Sequence, residues 1–274
     1  MENQRSNHQV WIFFILAYAI TWGLSALVTY LGVPVAVKGI GSLLLHYGPA
    51  LAAMLLAFVM GGNTELRKLL AGLGKWRAGI WWYIFIFFFP VVIHLLAVGM
   101  NVMLGGELPQ FFSANDVPAG NPLLFIIPLF LIIFFQAGLA EEIGWRGYAL
   151  PRLQVQYNAL VSSLILGVVW TFWHYHPQNL QSLIELGPWY LFSILPFTIL
   201  MTWVYNNTDG SVLLVALFHT ASNLTDWIVP IHPGITSEAS VRPFILYGIL
   251  LWIAALAVLK LYGVQDLKIS TKVS

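Results

Sequence analysis

Long apolar blocks, each separated by short polar or Pro/Gly-marked stretches, dominate the chain. About 20 consecutive apolar residues suffice for a membrane helix, and the pattern predicts eight of them. The first runs from about Val10 to Leu31 and stops before Pro34. The second runs from about Gly41 to Met60 and ends on Gly61-Gly62-Asn63. The third spans about Ile80 to Leu104, with a kink expected at Pro90. The fourth starts near Pro122 and continues toward Ala149, with Pro151 marking its end. The fifth runs from about Asn158 to His176, the sixth from about Pro188 to Tyr205, the seventh from about Ser211 to Val229, and the eighth from about Pro243 to Leu261. Gly105 to Asn121 and Gln178 to Gly187 read as connectors. Asn206-Asn207-Thr208-Asp209-Gly210 reads as a tight turn.

Composition agrees with this pattern. The 274 residues are 59% hydrophobic and 8% charged, with a mean hydropathy of +0.81. Soluble domains carry about 25% charged residues, so the expected fold class is an all-α polytopic membrane protein. The first apolar run is too long for a signal h-region and reads as a retained helix. Cysteine is absent, which excludes disulfides, thiolate metal sites and a cysteine nucleophile. A net charge of +1 argues against a nucleic-acid partner. No repeat or low-complexity tract stands out. Three regions are expected: helices one to three with a basic segment in 1–121, a core of helices four to seven in 122–229, and the last helix with a tail in 230–274.

With eight spans both termini share a side. Arg5, Arg67, Lys68, Lys75, Arg77, Arg146, Arg152, Lys260, Lys268 and Lys272 fall on that side, and only Lys38 and Arg242 on the other. The positive-inside rule then places both termini in the cytoplasm. The basic segment from Glu65 to Arg77 is expected on the inner membrane surface.

Ionisable side chains inside membrane helices cost several kcal/mol unless they have a partner or a cavity. The fourth helix carries two adjacent ones, Glu141 and Glu142. His174 falls on the fifth helix, and His219 and Asn223 on the seventh. Glu142 and Arg146 have the favourable i, i+4 spacing for an ion pair. Glu141 points about 100° away from Glu142 and is left facing elsewhere. The hairpin of helices four and five sets Glu141 and His174 level. Trp170 shares the face of His174 as an aromatic wall, and His219 shares a face with Asn223. Asp226 reads as a local cap. His46, His94 and His176 read as structural, and His8 and His232 as solvated.

A carboxylate with an imidazole can activate water as a general base. A second imidazole with a carboxamide can stabilise an oxyanion. The same Glu141, His174 and His219 could instead hold a catalytic zinc ion with an open position. The residues alone leave both chemistries open.

At these positions the chain resembles the CPBP family of CAAX-protease and bacteriocin-processing (Abi) membrane endopeptidases. The family pattern Glu-Glu-x-x-x-Arg, Phe-x-x-x-His, His-x-x-x-Asn/Asp reads here as Glu141-Glu142-Ile143-Gly144-Trp145-Arg146, Trp170-Thr171-Phe172-Trp173-His174 and His219-Thr220-Ala221-Ser222-Asn223. Trp170 stands where the family has Phe. The resemblance covers roughly Pro122 to Val229. It implies a helical bundle like the Ras-converting CAAX endopeptidases, with an intramembrane cavity open to the cytosol. It implies a membrane-associated peptide or protein as substrate. By motif match Glu141 is the catalytic carboxylate, His174 its partner, and His219 with Asn223 the oxyanion site. Glu142, Arg146 and Trp170 support them. Family members have been described both as glutamate-type and as metalloproteases. Asn223 suits an oxyanion donor better than a zinc ligand, so no cofactor is expected to be required. Two other readings stay open: a non-catalytic scaffold or immunity protein, and a proton-coupled carrier, against which the lack of a repeat counts. A prokaryotic plasma membrane is the expected location.

Overall fold

A computed structural model of the chain describes residues 2–31, 45–112, 122–175, 180–232 and 240–269. The expectations for Pro34, Lys38, Gly41, Asn121, His176, Gln178 and Lys272 lie outside these residues. The described residues contain eight long helical segments and no strand. They are α1 (Glu2–Tyr30), α2 (Gly48–Ala71), α3 (Ile80–Met103), α4 (Pro122 to Gln154), α5 (Ala159–Trp173), α6 (Leu180–Asn207), α7 (Val212–Ile228) and α8 (Arg242–Tyr262). The order matches the hydropathy pattern.

Six of the eight are long and apolar enough to cross a membrane. The exceptions are α5, with 15 residues, and α7, with 17. At 1.5 Å per residue these reach only about 22 and 26 Å, short of a hydrocarbon core of about 30 Å. They are the two helices that bring the histidines. Their neighbours surround them: α5 packs on α6, and α7 packs on α3 and α4.

Several boundaries differ from the sequence expectation, each for a local reason. α2 does not stop at Met60. It bends at Gly61 and Gly62, where Gly62 adopts φ 61° and ψ −150°, and then continues to Ala71. Only a residue without Cβ takes that conformation cheaply, so the glycines redirect the helix rather than end it. Proline likewise fails to stop α4 at Pro151 or to start α6 at Pro188. Pro151 opens the last turn of α4, where a missing N–H costs nothing, and Pro188 lies inside α6, which begins at Leu180. The connector expected before Pro188 is therefore partly helical. α5 ends at Trp173, leaving His174 as its C-cap.

α4 is the irregular helix. Two π-helical stretches, Phe134–Leu139 and Ile143–Ala149, flank a single α-helical turn, Ala140–Glu142. π-bulges widen a turn by one residue and are frequent at functional sites. Here they bracket the two carboxylates. Glycines let other helices close on this stretch. A Cβ at Gly138 would lie 2.9 Å from the Ala216 carbonyl of α7, and one at Gly144 would lie 2.6 Å from the Pro49 backbone of α2. The core collects around the same stretch: Trp145, Tyr148, Phe13, Trp170 and Phe218 are among its large, fully buried side chains.

α7 starts on a side-chain cap, Ser211 Oγ accepting from the Leu214 N–H at 3.1 Å, which satisfies one of the orphan donors of the first turn. The connectors on the terminal side are tied together. Lys75 pairs with Asp209 at 3.2 Å, Asn206 donates to the Asp266 carbonyl at 2.7 Å, and the Ala159 N–H donates to the Gln265 carbonyl at 2.7 Å. At the opposite end Arg242, at the start of α8, donates to Asn101 Oδ1 of α3 at 2.7 Å.

Candidate active site

Glu141 and Glu142 are both buried, 2% and 0% exposed. A naked carboxylate at that depth would be prohibitive, so their partners decide what they can do. Glu142 is clasped by Arg146 on the same helix. Arg146 Nη1 donates to both carboxylate oxygens, at 2.8 and 2.9 Å. The Arg146 guanidinium is itself fully buried, and its Nε and Nη2 find no hydrogen-bond acceptor. Its carbon lies 4.5 Å from the centroid of the Trp170 ring, and a desolvated cation over an indole face is worth up to about 2 kcal/mol.

The pair expected between Glu142 and Arg146 is thus present. The structure adds a third member. His219 Nδ1 lies 2.9 Å from Glu142 Oε1. The sequence set both histidines against Glu141. Instead His219 from α7 is fastened to the tethered carboxylate. An ionised carboxylate only accepts, so Nδ1 carries the proton in this contact.

Glu141 turns to the other side, as its angle on the helix requires. Its Oε2 accepts from the Trp170 indole N–H at 2.7 Å. Trp170 also holds His174. The Trp170 carbonyl accepts from His174 Nδ1 at 2.7 Å, one turn along. A carbonyl cannot donate, so the His174 proton sits on Nδ1 and the Nε2 lone pair is left open. Trp170 is therefore more than the aromatic wall expected from its spacing. It touches Glu141, Arg146 and His174 at once.

His174, His219 and Asn223 line one cavity of about 290 Å³, with Trp170 forming part of its wall. Glu141 and Glu142 stand behind that wall. Aromatic and apolar side chains, including Tyr190, Phe197 and Phe244, make up much of the remainder. Sequence reasoning missed several lining residues. Tyr190 packs its ring 5.1 Å from that of His174, yet nothing in its local sequence distinguishes it from an interfacial tyrosine. His232 was expected in solvent. It instead lies 5.1 Å from the Phe244 ring on the cavity wall, and burial holds its pKa below the ordinary value. His94, as expected, bonds within its own helix, Nδ1 to the Pro90 carbonyl at 2.8 Å, though it also reaches the cavity. Asp226 is the local cap foreseen, accepting from the Ile231 N–H at 3.1 Å.

The cavity lining comes from the end of α5, the first half of α6, the second half of α7, the start of α8, and Ile231 and His232.

For the zinc alternative, Glu141 Oε2 is engaged by Trp170 and His219 Nδ1 by Glu142, so Glu141 Oε1 and the Nε2 atoms of His174 and His219 are the atoms that would ligate a metal. Among the described residues no three His, Asp or Glu side chains converge as a metal site.

The comparisons with known proteins fall on the same stretch. Residues 123–225 match the family model described as type II CAAX prenyl endopeptidase Rce1-like. Over 186 residues the chain is 31% identical to CAAX prenyl protease 2 of Methanococcus maripaludis, covering 62% of this chain and 62% of that protein. The chain thus matches less than two thirds of the length of that relative. The matched segment contains the tethered pair Glu142–Arg146, the Trp170 bridge, His174 and His219, and through it the chain is similar to the Rce1-like CAAX prenyl endopeptidase family.

Proposed function

We propose that the chain is an intramembrane endopeptidase that hydrolyses a peptide bond of a membrane-associated substrate. The observation that carries this reading is the double grip of Trp170, which holds Glu141 through its indole and His174 through its carbonyl. Base and charge partner are thereby fixed against one cavity, and fixed geometry of this kind removes reorganisation from the reaction.

In this reading Glu141 and His174 activate water together. His174 Nε2 accepts the water proton, and the Glu141 charge beside it stabilises the imidazolium that forms. The hydroxide attacks the scissile carbonyl. Asn223 and His219 donate to the oxygen on which negative charge develops. With Nδ1 committed to Glu142, His219 donates from Nε2 only as an imidazolium, for which Glu142 is the counter-ion. Arg146 keeps Glu142 in place for that task. The His174 proton then passes to the leaving amine, and the C–N bond breaks. Burial strengthens each of these electrostatic contributions relative to water. The aromatic lining suits an apolar stretch of substrate. A prenylated chain terminus, which the names of the family and of its archaeal member invoke, is one such substrate.

The test is direct. Purified full-length protein in lipid discs is given membrane-anchored peptides, and products are identified by mass spectrometry. Cleavage that disappears in His174→Ala while the fold persists supports the reading. Absence of cleavage across prenylated and unprenylated anchored peptides points instead to a scaffold. Stoichiometric zinc whose removal stops cleavage would transfer Glu141, His174 and His219 to ligand roles.

A further inference from the structure

The cavity holds a second group of polar side chains that the hydrolysis above leaves unused. α3 spans 24 residues, and His94 is the one acid, base or histidine among them. An ionisable side chain inside a membrane helix marks a functional site by default. His94 is 1% exposed, yet it lines the cavity. Its Nδ1 meets the Pro90 carbonyl at 2.8 Å. A carbonyl only accepts, so Nδ1 carries the proton and Nε2 the lone pair. Among the described residues nothing donates to that Nε2. Two hydroxyls stand beside it. The Tyr247 ring of α8 is 4.6 Å from the His94 ring, and the Tyr247 hydroxyl meets Ser222 Oγ of α7 at 3.3 Å. Both residues line the cavity and are buried. Two hydroxyls carry two protons and their contact uses one, so one O–H remains to be donated.

The group therefore offers one acceptor and one donor. That is the complement of a peptide group, which presents one N–H and one C=O and is costly to bury unpaired. A free carboxylate suits it poorly. Among the described residues lining the cavity none is Lys or Arg, and Asp226 stands one turn beyond Ser222 on the same helix. The spacing also fits a peptide. Ser222 is three residues past His219 on α7, about 4.5 Å of rise, and extended chain advances about 3.3–3.6 Å per residue. A chain whose scissile carbonyl meets His219 and Asn223 thus brings a neighbouring peptide group, one or two units away, to Ser222. His94 and Tyr247 both lie outside residues 123–225, which match the family model, so α3 and α8 add them to the motif-bearing core.

We propose that His94, Tyr247 and Ser222 form a main-chain subsite for the substrate. His94 Nε2 accepts the N–H of a peptide group close to the scissile bond, and the Tyr247–Ser222 pair donates to a neighbouring carbonyl. The three set the register of the bound chain and take no part in the proton transfers. This rests on the proteolytic reading in taking a peptide as the ligand.

The test couples one enzyme atom to one substrate atom. The probe is a fluorescein-labelled peptide ending in an S-farnesylated cysteine and three aliphatic residues. In three analogues each amide after the cysteine is replaced in turn by an ester, which deletes one N–H, and a fourth carries a C-terminal amide. Binding is read by fluorescence anisotropy on full-length His174→Ala protein in lipid discs, so that nothing is cleaved, with and without His94→Phe. The expected result is that one ester weakens binding about tenfold, or about 1.4 kcal/mol, and less than about twofold once His94 is Phe. Such a cycle isolates the pairwise contact. An ester penalty that is the same with and without His94, or no penalty at any position, overturns the subsite. A His94-dependent loss that vanishes only for the C-terminal amide overturns the peptide assignment in favour of a carboxylate. Should His94→Phe fail to fold, Tyr247→Phe carries the test: it is expected to weaken every peptide about three- to tenfold with its unfolding midpoint kept, and binding at parent strength overturns the proposal. Cleavage by the parent protein is followed in parallel. Coupling without cleavage refutes the proteolytic reading alone, cleavage without coupling refutes only this inference, and a protein that binds none of the peptides refutes both.

Discussion

His219 Nδ1 meets Glu142, 77 positions earlier in the chain, at 2.9 Å. Arg146 already occupies that carboxylate, so the contact makes a buried triad across α4 and α7. Its members sit on two sides of Trp170, whose ring faces the Arg146 cation and lies 5.2 Å from the His219 ring. The two adjacent glutamates thus have different partners: Glu142 holds Arg146 and His219, and Glu141 accepts from Trp170.

Glu142→Gln removes the counter-ion of a fully buried guanidinium. Breaking a buried pair from one side costs about 3–5 kcal/mol. Thermal unfolding in detergent is expected to show a large fall in midpoint for Glu142→Gln. The double variant Glu142→Gln, Arg146→Met should recover much of it, because no buried charge is then left unpaired. It should not recover activity, since His219 has lost its anchor.

Trp170→Phe introduces the Phe of the pattern the chain resembles and tests the bridge. The ring face under Arg146 stays, and the indole N–H to Glu141 goes. A hydrogen bond to a charged group is worth about 1.5–3 kcal/mol, so kcat should fall about ten- to a hundred-fold if this chain has come to depend on that N–H. The unfolding midpoint should move little. An unchanged kcat would show that Glu141 is held well enough without Trp170.

Asn223→Ala removes a side chain from the cavity wall without touching the triad. Loss of one oxyanion donor costs about 10²–10³ in kcat. KM should stay close to the parent value, because the donor acts on charge that develops only in the transition state. An equal change in KM with kcat preserved would make Asn223 a binding residue instead.

Gly144→Ala probes the packing behind the site. The new Cβ would come within 2.6 Å of both the carbonyl carbon and oxygen of Pro49, and backbone cannot move aside as a side chain can. Overpacking of this kind costs about 1–3 kcal/mol or more. Lower stability and lower activity together are expected, read by unfolding and by cleavage rate. The equivalent change at Gly99, where a Cβ meets nothing within 4 Å, should be silent.

The sequence displayed the helix order because hydropathy is a property of each segment alone. The Glu142–Arg146 pair was legible for the same reason, being set by spacing on one helix. What crossed between helices was not. The pattern could not show that Trp170 would serve Glu141 and His174 together, because that depends on the register of α4 against α5. Nor could it show that His219 would choose Glu142. The two π-helical stretches shift the register around the carboxylates, and only the glycines at 138, 144 and 147 hinted at close approach there. The short lengths of α5 and α7 were hidden as well, since Tyr175 and Val229 are apolar enough to extend either run past its true end.

The central claim is that Glu141 supplies the charge for water activation while Glu142 is tethered for support. The measurement that tests it most directly is the single-turnover cleavage rate of Glu141→Gln, with unfolding recorded on the same sample. General acid–base groups contribute about 10²–10⁴ in rate, and a loss in that range with an unchanged unfolding midpoint is the predicted result. A Glu141→Gln protein that cleaves within about threefold of the parent, less than 1 kcal/mol in barrier, would contradict the account.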